Sequence, residues 1–210
     1  NDWQPGDLIF MDQFHSIHKR NAVKVIGLCI ELHWIMSMFT TPVKTINTNF
    51  DIKSLERQLR NNLYSAKRMG IESRGDYYYK VNFDFAEISN ELLEYTKPFL
   101  DELGVDGELS IDMWGNFYPG ICTCGKHNHL RRNVVMSGIL YIKPENGVTR
   151  FFDPMAEWHD QFGYWNIRKG VIEHKGKPNE LILFPPYLVH DVVMLTNEER
   201  MTVAFDVKAR

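Results

Sequence analysis

The chain has 210 residues, of which 44% are hydrophobic and 13% aromatic, so it can bury one sizeable core. Its 24 basic and 27 acidic residues leave a net charge of −3, which gives no electrostatic sign of a nucleic-acid or membrane partner. Apolar stretches end well before the ~18 residues that a membrane span requires. No basic segment followed by an apolar segment opens the sequence, so no secretory signal is indicated. The three cysteines are odd in number and do not indicate a disulfide framework. We therefore expect a cytoplasmic protein, with a homodimer as one possible assembly.

Residues 1–35 are predicted to form a strand, a loop with His15 and His18, and a second strand, the order in which the chain also ends. One interpretation makes them the tail of a preceding, related domain, with the complete domain at 36–210. The other makes them an N-terminal hairpin that extends the main sheet. We assign no site role to the histidines of this segment.

Two helices are predicted before the main run of strands. Residues 51–64 place apolar side chains three or four positions apart, the spacing of a helix with one buried stripe. Residues 83–103 repeat that spacing. We expect Pro98 to kink or split this second helix, because proline removes a backbone donor, and Gly104 to end it.

The rest of the domain is predicted to be β structure. Leu109–Tyr118 alternates, Val134–Ile142 is a continuous apolar run, and Pro144–Gly147 predicts a tight turn into a hairpin with Val148–Phe152. Residues 156–178 are an aromatic, charged insertion that we expect to act as a lid or to contact substrate. Helices followed by short strands favour an α+β, mainly β fold: a double-stranded β-helix (a jelly-roll or cupin-like barrel) buttressed by N-terminal helices.

Three histidines and an arginine give the clearest functional signal. His127 and His129 stand one residue apart, and His190 follows an apolar run. Arg200 then opens an alternating strand in which Thr202 shares its face. This layout is typical of a mononuclear metal site in a β-barrel, where imidazoles hold a divalent iron and leave positions open for an organic acid and dioxygen. The guanidinium can bind the acid's far carboxylate through two parallel hydrogen bonds.

Further motifs are spread across the β half of the chain. They are Trp114-Gly115-Asn116, Gly120, His127-Asn128-His129, the run from Ser137 to Ile142, Asp153-Pro154, Leu183-Phe184-Pro185, His190 and Arg200-Met201-Thr202. With these motifs, residues 36–210 resemble the Fe(II)/2-oxoglutarate-dependent oxygenase superfamily, and more narrowly a bacterial and phage subfamily with an HxH motif and no assigned substrate. The resemblance implies Fe(II) as cofactor, 2-oxoglutarate and dioxygen as co-substrates, release of succinate and carbon dioxide, and hydroxylation of an unidentified substrate in a bacterial or phage-infected cell.

The resemblance also implies roles for single residues. It makes the three histidines the metal ligands and, with Arg200, the catalytic residues. It places 2-oxoglutarate against Arg200 and Thr202. Four more polar side chains are expected to contact 2-oxoglutarate or support the site: Asn116, Tyr118, Ser137 and Tyr141.

The sequence departs from the common superfamily pattern at one position. That pattern has His-x-Asp or His-x-Glu, whereas this chain has His129 in place of the carboxylate. Either three imidazoles hold the metal, or Asp153 supplies the third ligand. The predicted hairpin would pair Asp153 near Gly138, several residues of ~3.3 Å each from His129. This geometry favours His129, with Asp153 orienting a ligand or bonding local backbone.

Two other functions remain open at this stage. A cupin-like three-histidine enzyme would use dioxygen directly, without 2-oxoglutarate, and would have no use for Arg200. A barrel with a vestigial metal site would act in binding alone. The remaining histidines, His159 and His174, are interpreted as ordinary structural residues.

Overall fold

The computed structural model describes residues 41–71, 76–82, 86–144, 147–154 and 170–210. These residues all belong to one compact unit that begins at Thr41. The predictions for residues 1–35, for His159 and for the insertion up to residue 169 lie outside the described residues. In the part of the chain that is described, no helix is long and apolar enough to cross a membrane.

Antiparallel strands form two sheets. The larger contains β1 (Lys44–Asn47), β2 (Lys67–Ile71), β3 (Asp76–Val81), β4 (Leu109–Tyr118), β6 (Val134–Lys143), β9 (Glu180–Phe184) and β11 (Arg200–Ala209), in the order β1-β9-β6-β11-β4-β3-β2. The smaller contains β5 (Thr123–His127), β7 (Gly147–Phe152), β8 (Val171–His174) and β10 (His190–Met194), in the order β5-β10-β7-β8.

Two helices cover the outer face of the larger sheet. In α1 (Ile52–Asn61), the Asp51 side chain caps the first turn by accepting a hydrogen bond from the Ser54 amide at 3.0 Å. The buried side chains of α1 and of α2 (Ala86–Glu102) join one apolar cluster with the outer face of the sheet. Gly115 on β4 allows this close packing, because a Cβ there would overlap Leu59 of α1.

Pro98 does not split α2, which runs unbroken from Ala86 to Glu102. Gly104 ends it as expected, with a left-handed φ of 68°. The amides of Gly104 and Val105 donate to the carbonyls of Asp101 and Leu100, each at 3.0 Å, which satisfies carbonyls that the helix end would otherwise leave open.

The central strand β11 divides its side chains between the two faces of the sheet. Met201, Val203 and Phe205 lie in the apolar cluster beneath the helices. Arg200 and Ala204 are buried on the opposite face, toward the smaller sheet. The ring centroids of Phe151 and Phe184 lie 5.1 Å apart and join the two sheets across this inner space.

The predicted mainly β fold with helical buttresses is confirmed, and β4 spans the predicted residues. The predicted hairpin at Pro144–Gly147 is wrong: β6 pairs with β9 and β11, whereas β7 pairs with β8 and β10. The chain therefore leaves the larger sheet at Lys143 and enters the smaller sheet at Gly147. Between the helices the structure adds the hairpin β2–β3, which the sequence analysis missed. At 171–174 the predicted insertion contains the edge strand β8.

Candidate metal centre

Three histidine side chains converge between the two sheets. His127 ends β5 and lies opposite His190, the first residue of β10. Two residues further on, the amide of His129 donates to the Pro186 carbonyl at 2.8 Å, which holds the third imidazole beside the others. Their candidate ligand atoms all lie within 4.8 Å of one another, and among the described residues this is the one cluster of its kind.

Each imidazole has its Nδ1 atom engaged by an oxygen. The partner is the Gly125 carbonyl at 2.8 Å for His127 and the Leu188 carbonyl at 3.0 Å for His190. For His129 it is the Asp206 carboxylate at 2.6 Å. A carbonyl or carboxylate oxygen only accepts, so Nδ1 carries the hydrogen in each ring and Nε2 keeps its lone pair. This tautomer suits three nitrogen ligands to a divalent metal.

Burial keeps two of these rings neutral. It lowers the pKa of His190 to about 3, and the nearby His127 contributes to the same effect. The pKa of His127 is also lowered, again chiefly by burial. Neutral imidazole is the form that binds a metal, so the lowered pKa of each of these two rings favours the binding-competent form.

Asp206 is a site residue that sequence reasoning missed. It is 3% exposed and accepts hydrogen bonds from His129 and, at 2.7 Å, from the Ser137 hydroxyl. Alternation along β11 could have identified it, since Asp206 continues the face of Arg200, Thr202 and Ala204. Ser137, which was predicted to contact 2-oxoglutarate or support the site, donates its hydroxyl to this carboxylate.

Arg200 is fully buried, with 0% exposure. Its Nη2 donates to the Thr149 hydroxyl at 2.8 Å, whereas Nε and Nη1 have no hydrogen-bond partner among the described residues. The guanidinium carbon lies 5.3 Å from the Tyr141 ring centroid and 5.9 Å from that of Tyr118. A buried cation with two nitrogen atoms left unpaired is costly without an anion, so this arrangement suits a carboxylate ligand.

The arginine and the histidines line one pocket of about 430 Å³, part of it open to solvent. Three residues predicted to contact 2-oxoglutarate also line it: Asn116, Tyr118 and Thr202. Tyr141 lies behind the pocket, where its hydroxyl is 3.0 Å from that of Thr149. Cys124 and Tyr78 also contribute to the wall, with the sulfur and the phenol oxygen 3.3 Å apart.

Residues 112–206 match the profile of a protein family described as "Putative 2OG-Fe(II) oxygenase". This part of the chain is therefore similar to that family. The match includes the three histidines and Arg200, and it confirms the resemblance drawn from the sequence motifs. No curated protein sequence matches the chain significantly.

Solved structures of 2OG-Fe(II) oxygenases share the fold. A Pseudomonas putida prolyl-4-hydroxylase is 15% identical, with 81% of this chain and 94% of that chain covered and a TM-score of 0.59. A viral collagen prolyl hydroxylase from Paramecium bursaria Chlorella virus-1, in its 2OG complex, is 12% identical, with 80% of this chain and 96% of that chain covered and a TM-score of 0.54. The epimerase SnoN, in complex with Fe3+, alpha ketoglutarate and nogalamycin RO, is 11% identical, with 80% of this chain and 79% of that chain covered and a TM-score of 0.56. This likeness confirms the predicted jelly-roll fold.

Asp153 does not belong to the oxygenase-like histidine cluster, although it was the alternative third ligand. It follows β7, and its amide donates to the Gly170 carbonyl at 2.9 Å. Because the hairpin used to place Asp153 near Gly138 does not exist, that register argument fails. The preference for His129 now depends on the convergence of the three rings. His174 also lies outside the cluster, with Nε2 2.9 Å from the Glu180 carboxylate.

Proposed function

We propose that this chain is an Fe(II)- and 2-oxoglutarate-dependent oxygenase that hydroxylates a substrate still to be identified. One observation carries the proposal: three imidazoles with free Nε2 atoms share a pocket with a buried guanidinium whose Nε and Nη1 atoms have no hydrogen-bond partner among the described residues. The match of residues 112–206 to the oxygenase family profile supports it. Further support comes from the fold, because solved relatives of that fold were obtained with 2OG or with Fe3+ and alpha ketoglutarate.

His127, His129 and His190 are the proposed metal ligands. Bound Fe(II) would supply the redox chemistry that couples dioxygen to decarboxylation of 2-oxoglutarate and oxidation of the substrate. The chain itself fixes the tautomer and direction of each ligand through the Nδ1 hydrogen bonds. The pocket that these imidazoles share with Arg200 is where a 2-oxo acid would bind beside the metal.

Arg200 is the proposed partner of the distal carboxylate of 2-oxoglutarate. A guanidinium can bind a carboxylate through two parallel N–H groups, and the Nε and Nη1 atoms of Arg200 have no other hydrogen-bond partner among the described residues. Thr202 lies next to it on the same face, and Asn116 Nδ2 is 3.5 Å from the Thr202 hydroxyl. We propose that these two side chains assist, and that Tyr118 and Tyr141 enclose the cation with their rings.

The structure favours this function over the two alternatives. An enzyme that uses dioxygen without a 2-oxo acid has no need of a fully buried cation beside the metal site. A barrel that only binds a partner has no need of three imidazoles held in one tautomer. Both features are explained if the histidines bind a metal and Arg200 binds a dicarboxylate beside it.

The test is succinate formation from 2-oxoglutarate, measured with Fe(II) in air and under nitrogen. Succinate should appear in air alone, since the reaction consumes dioxygen. Arg200→Lys keeps the charge but loses the planar fork, so 2-oxoglutarate affinity should fall while metal affinity is retained. Dioxygen uptake that is independent of 2-oxoglutarate would support the cupin-like enzyme instead. Full metal binding with no turnover and no 2-oxoglutarate affinity would support a binding barrel.

A further inference from the structure

We propose that Asp206 is a positioning residue that acts through His129 and supplies the negative charge which the usual carboxylate ligand of the superfamily would provide. The inference rests on the metal site proposed above and goes beyond it, because Asp206 lies outside the ligand cluster and outside the pocket lining. The acidic group has thus moved from the ligand set to the position behind one ligand.

The contact is short and buried. Asp206 Oδ1 lies 2.6 Å from His129 Nδ1, and the two side chains are 4% and 8% exposed. Ser137, the register partner of Asp206 on β6, is 0% exposed and donates to the same oxygen at 2.7 Å. The carboxylate is therefore held by the sheet itself, and its position does not depend on a flexible loop.

This contact fixes His129 in two ways. An ionised carboxylate only accepts hydrogen bonds, so it selects the tautomer with hydrogen on Nδ1 and leaves Nε2 for the metal. It also fixes the rotation of a ring that lies just beyond the end of β5. The Trp114 ring, with its centroid 5.6 Å away, packs against the same imidazole.

Asp206 forms no ion pair with a lysine or arginine of the described residues, although its charge acts on Lys80 from beyond ion-pair distance. In the described residues, the one basic nitrogen within ion-pair distance of it belongs to His129. A carboxylate behind a ligating imidazole makes the ring a stronger donor, and its negative charge acts on the metal through one ring. In the other two imidazoles Nδ1 donates to a neutral backbone carbonyl, so this effect is confined to His129.

Titration of the metal-free protein with Co(II) tests the inference. Asp206→Asn should weaken Co(II) binding by about 10–100-fold, and the visible spectrum of bound Co(II) should shift because the His129 donor is weaker. Asp206→Glu, which keeps the charge, should recover part of the affinity. Asp191→Asn is the matched control: Asp191 is 5% exposed and adjoins His190, but it pairs with Arg150 rather than with an imidazole. The control should leave the Co(II) spectrum unchanged.

A second background separates positioning from general structure. In His129→Asp the ligand set regains a carboxylate and Asp206 loses its partner, so adding Asp206→Asn should no longer weaken Co(II) binding. An equal loss in both backgrounds would overturn the inference. If the Asp206 variants do not fold, Ser137→Ala replaces them, with an expected loss of about threefold from one missing hydrogen bond. Unchanged affinity and spectrum in a folded Asp206→Asn or Ser137→Ala variant would also overturn it, whereas a parent protein that binds no metal would refute the proposed function as well.

Discussion

Replacing Arg200 by Met should stabilise the ligand-free protein while abolishing 2-oxoglutarate binding. The side chain is 0% exposed, and two of its nitrogen atoms have no partner among the described residues. Each unsatisfied buried group costs about 1–3 kcal/mol, and the one hydrogen bond to Thr149 offsets only part of that sum. An apolar side chain of similar length should therefore raise the free energy of unfolding by about 1–3 kcal/mol.

Thermal unfolding with and without 2-oxoglutarate measures this effect. At about 2–4 °C per kcal/mol, Arg200→Met should unfold several degrees above the parent in the absence of ligand. A hundredfold excess of 2-oxoglutarate over its Kd, with metal present, should stabilise the parent by about 2.7 kcal/mol and leave the variant unchanged.

Arg150→Met is the control for a cation that is already paired, since Arg150 is partly exposed and its partner Asp191 is buried. Arg150 forms two hydrogen bonds, of 2.8 and 2.6 Å, with Asp191, so its loss leaves an uncompensated buried carboxylate and should destabilise the protein. The reasoning about Arg200 is refuted if Arg200→Met is no more stable than the parent, or if the variant still responds to 2-oxoglutarate.

Three further outcomes follow from the site and the core. His127→Ala should abolish stoichiometric Co(II) binding, measured by titration, while the far-UV circular dichroism stays that of the parent. Burial lowers the pKa of His190 to about 3 from 6.5, so below pH 6.5 the unfolded chain binds a proton that the folded chain excludes. Urea unfolding of the metal-free protein should therefore show a free energy of unfolding that decreases as the pH is lowered from 6.5 toward about 3, by about 1.4 kcal/mol per pH unit. His190→Phe should flatten this slope. Gly115→Val should separate α1 from β4 and cost about 1–3 kcal/mol in the same assay, and a neutral effect would contradict the described packing.

Local patterns in the sequence predicted much of the structure. Alternation gave β4 from Leu109 to Tyr118, and the apolar spacing of residues 51–64 gave α1. The histidine spacing predicted the cluster of three imidazoles because each histidine lies at one end of a strand or just beyond it. Strand ends of this kind can be recognised from the local sequence. These features depend on neighbours in the chain, which the sequence displays directly.

The features that the sequence did not predict depend on distant partners. The composition of Pro144–Gly147 indicates a change of direction, but whether the next strand pairs with the previous one or crosses to another sheet depends on competing partners far along the chain. The β2–β3 hairpin lies at the sheet edge and is rich in Lys, Arg and Tyr, so it lacks the apolar alternation of a half-buried strand. Asp206 lies 77 residues from His129, and their contact depends both on the place of β11 in the larger sheet and on the backbone bond that holds His129 to Pro186.

The alternation of β11 also means that the protein can fold correctly only if this strand pairs in the right register. A slip by one residue would bury Arg200 and Asp206 beneath the helices and expose Met201 and Phe205 to the site, so a misregistered strand could form neither the core nor the site. β11 is hydrogen-bonded on both sides, to β4 and β6, and its amides should exchange with solvent only through global unfolding. Arg200 and Thr202, the proposed co-substrate residues on this strand, should therefore exchange as slowly as the core, which predicts that this side of the proposed site is preorganised before a ligand binds.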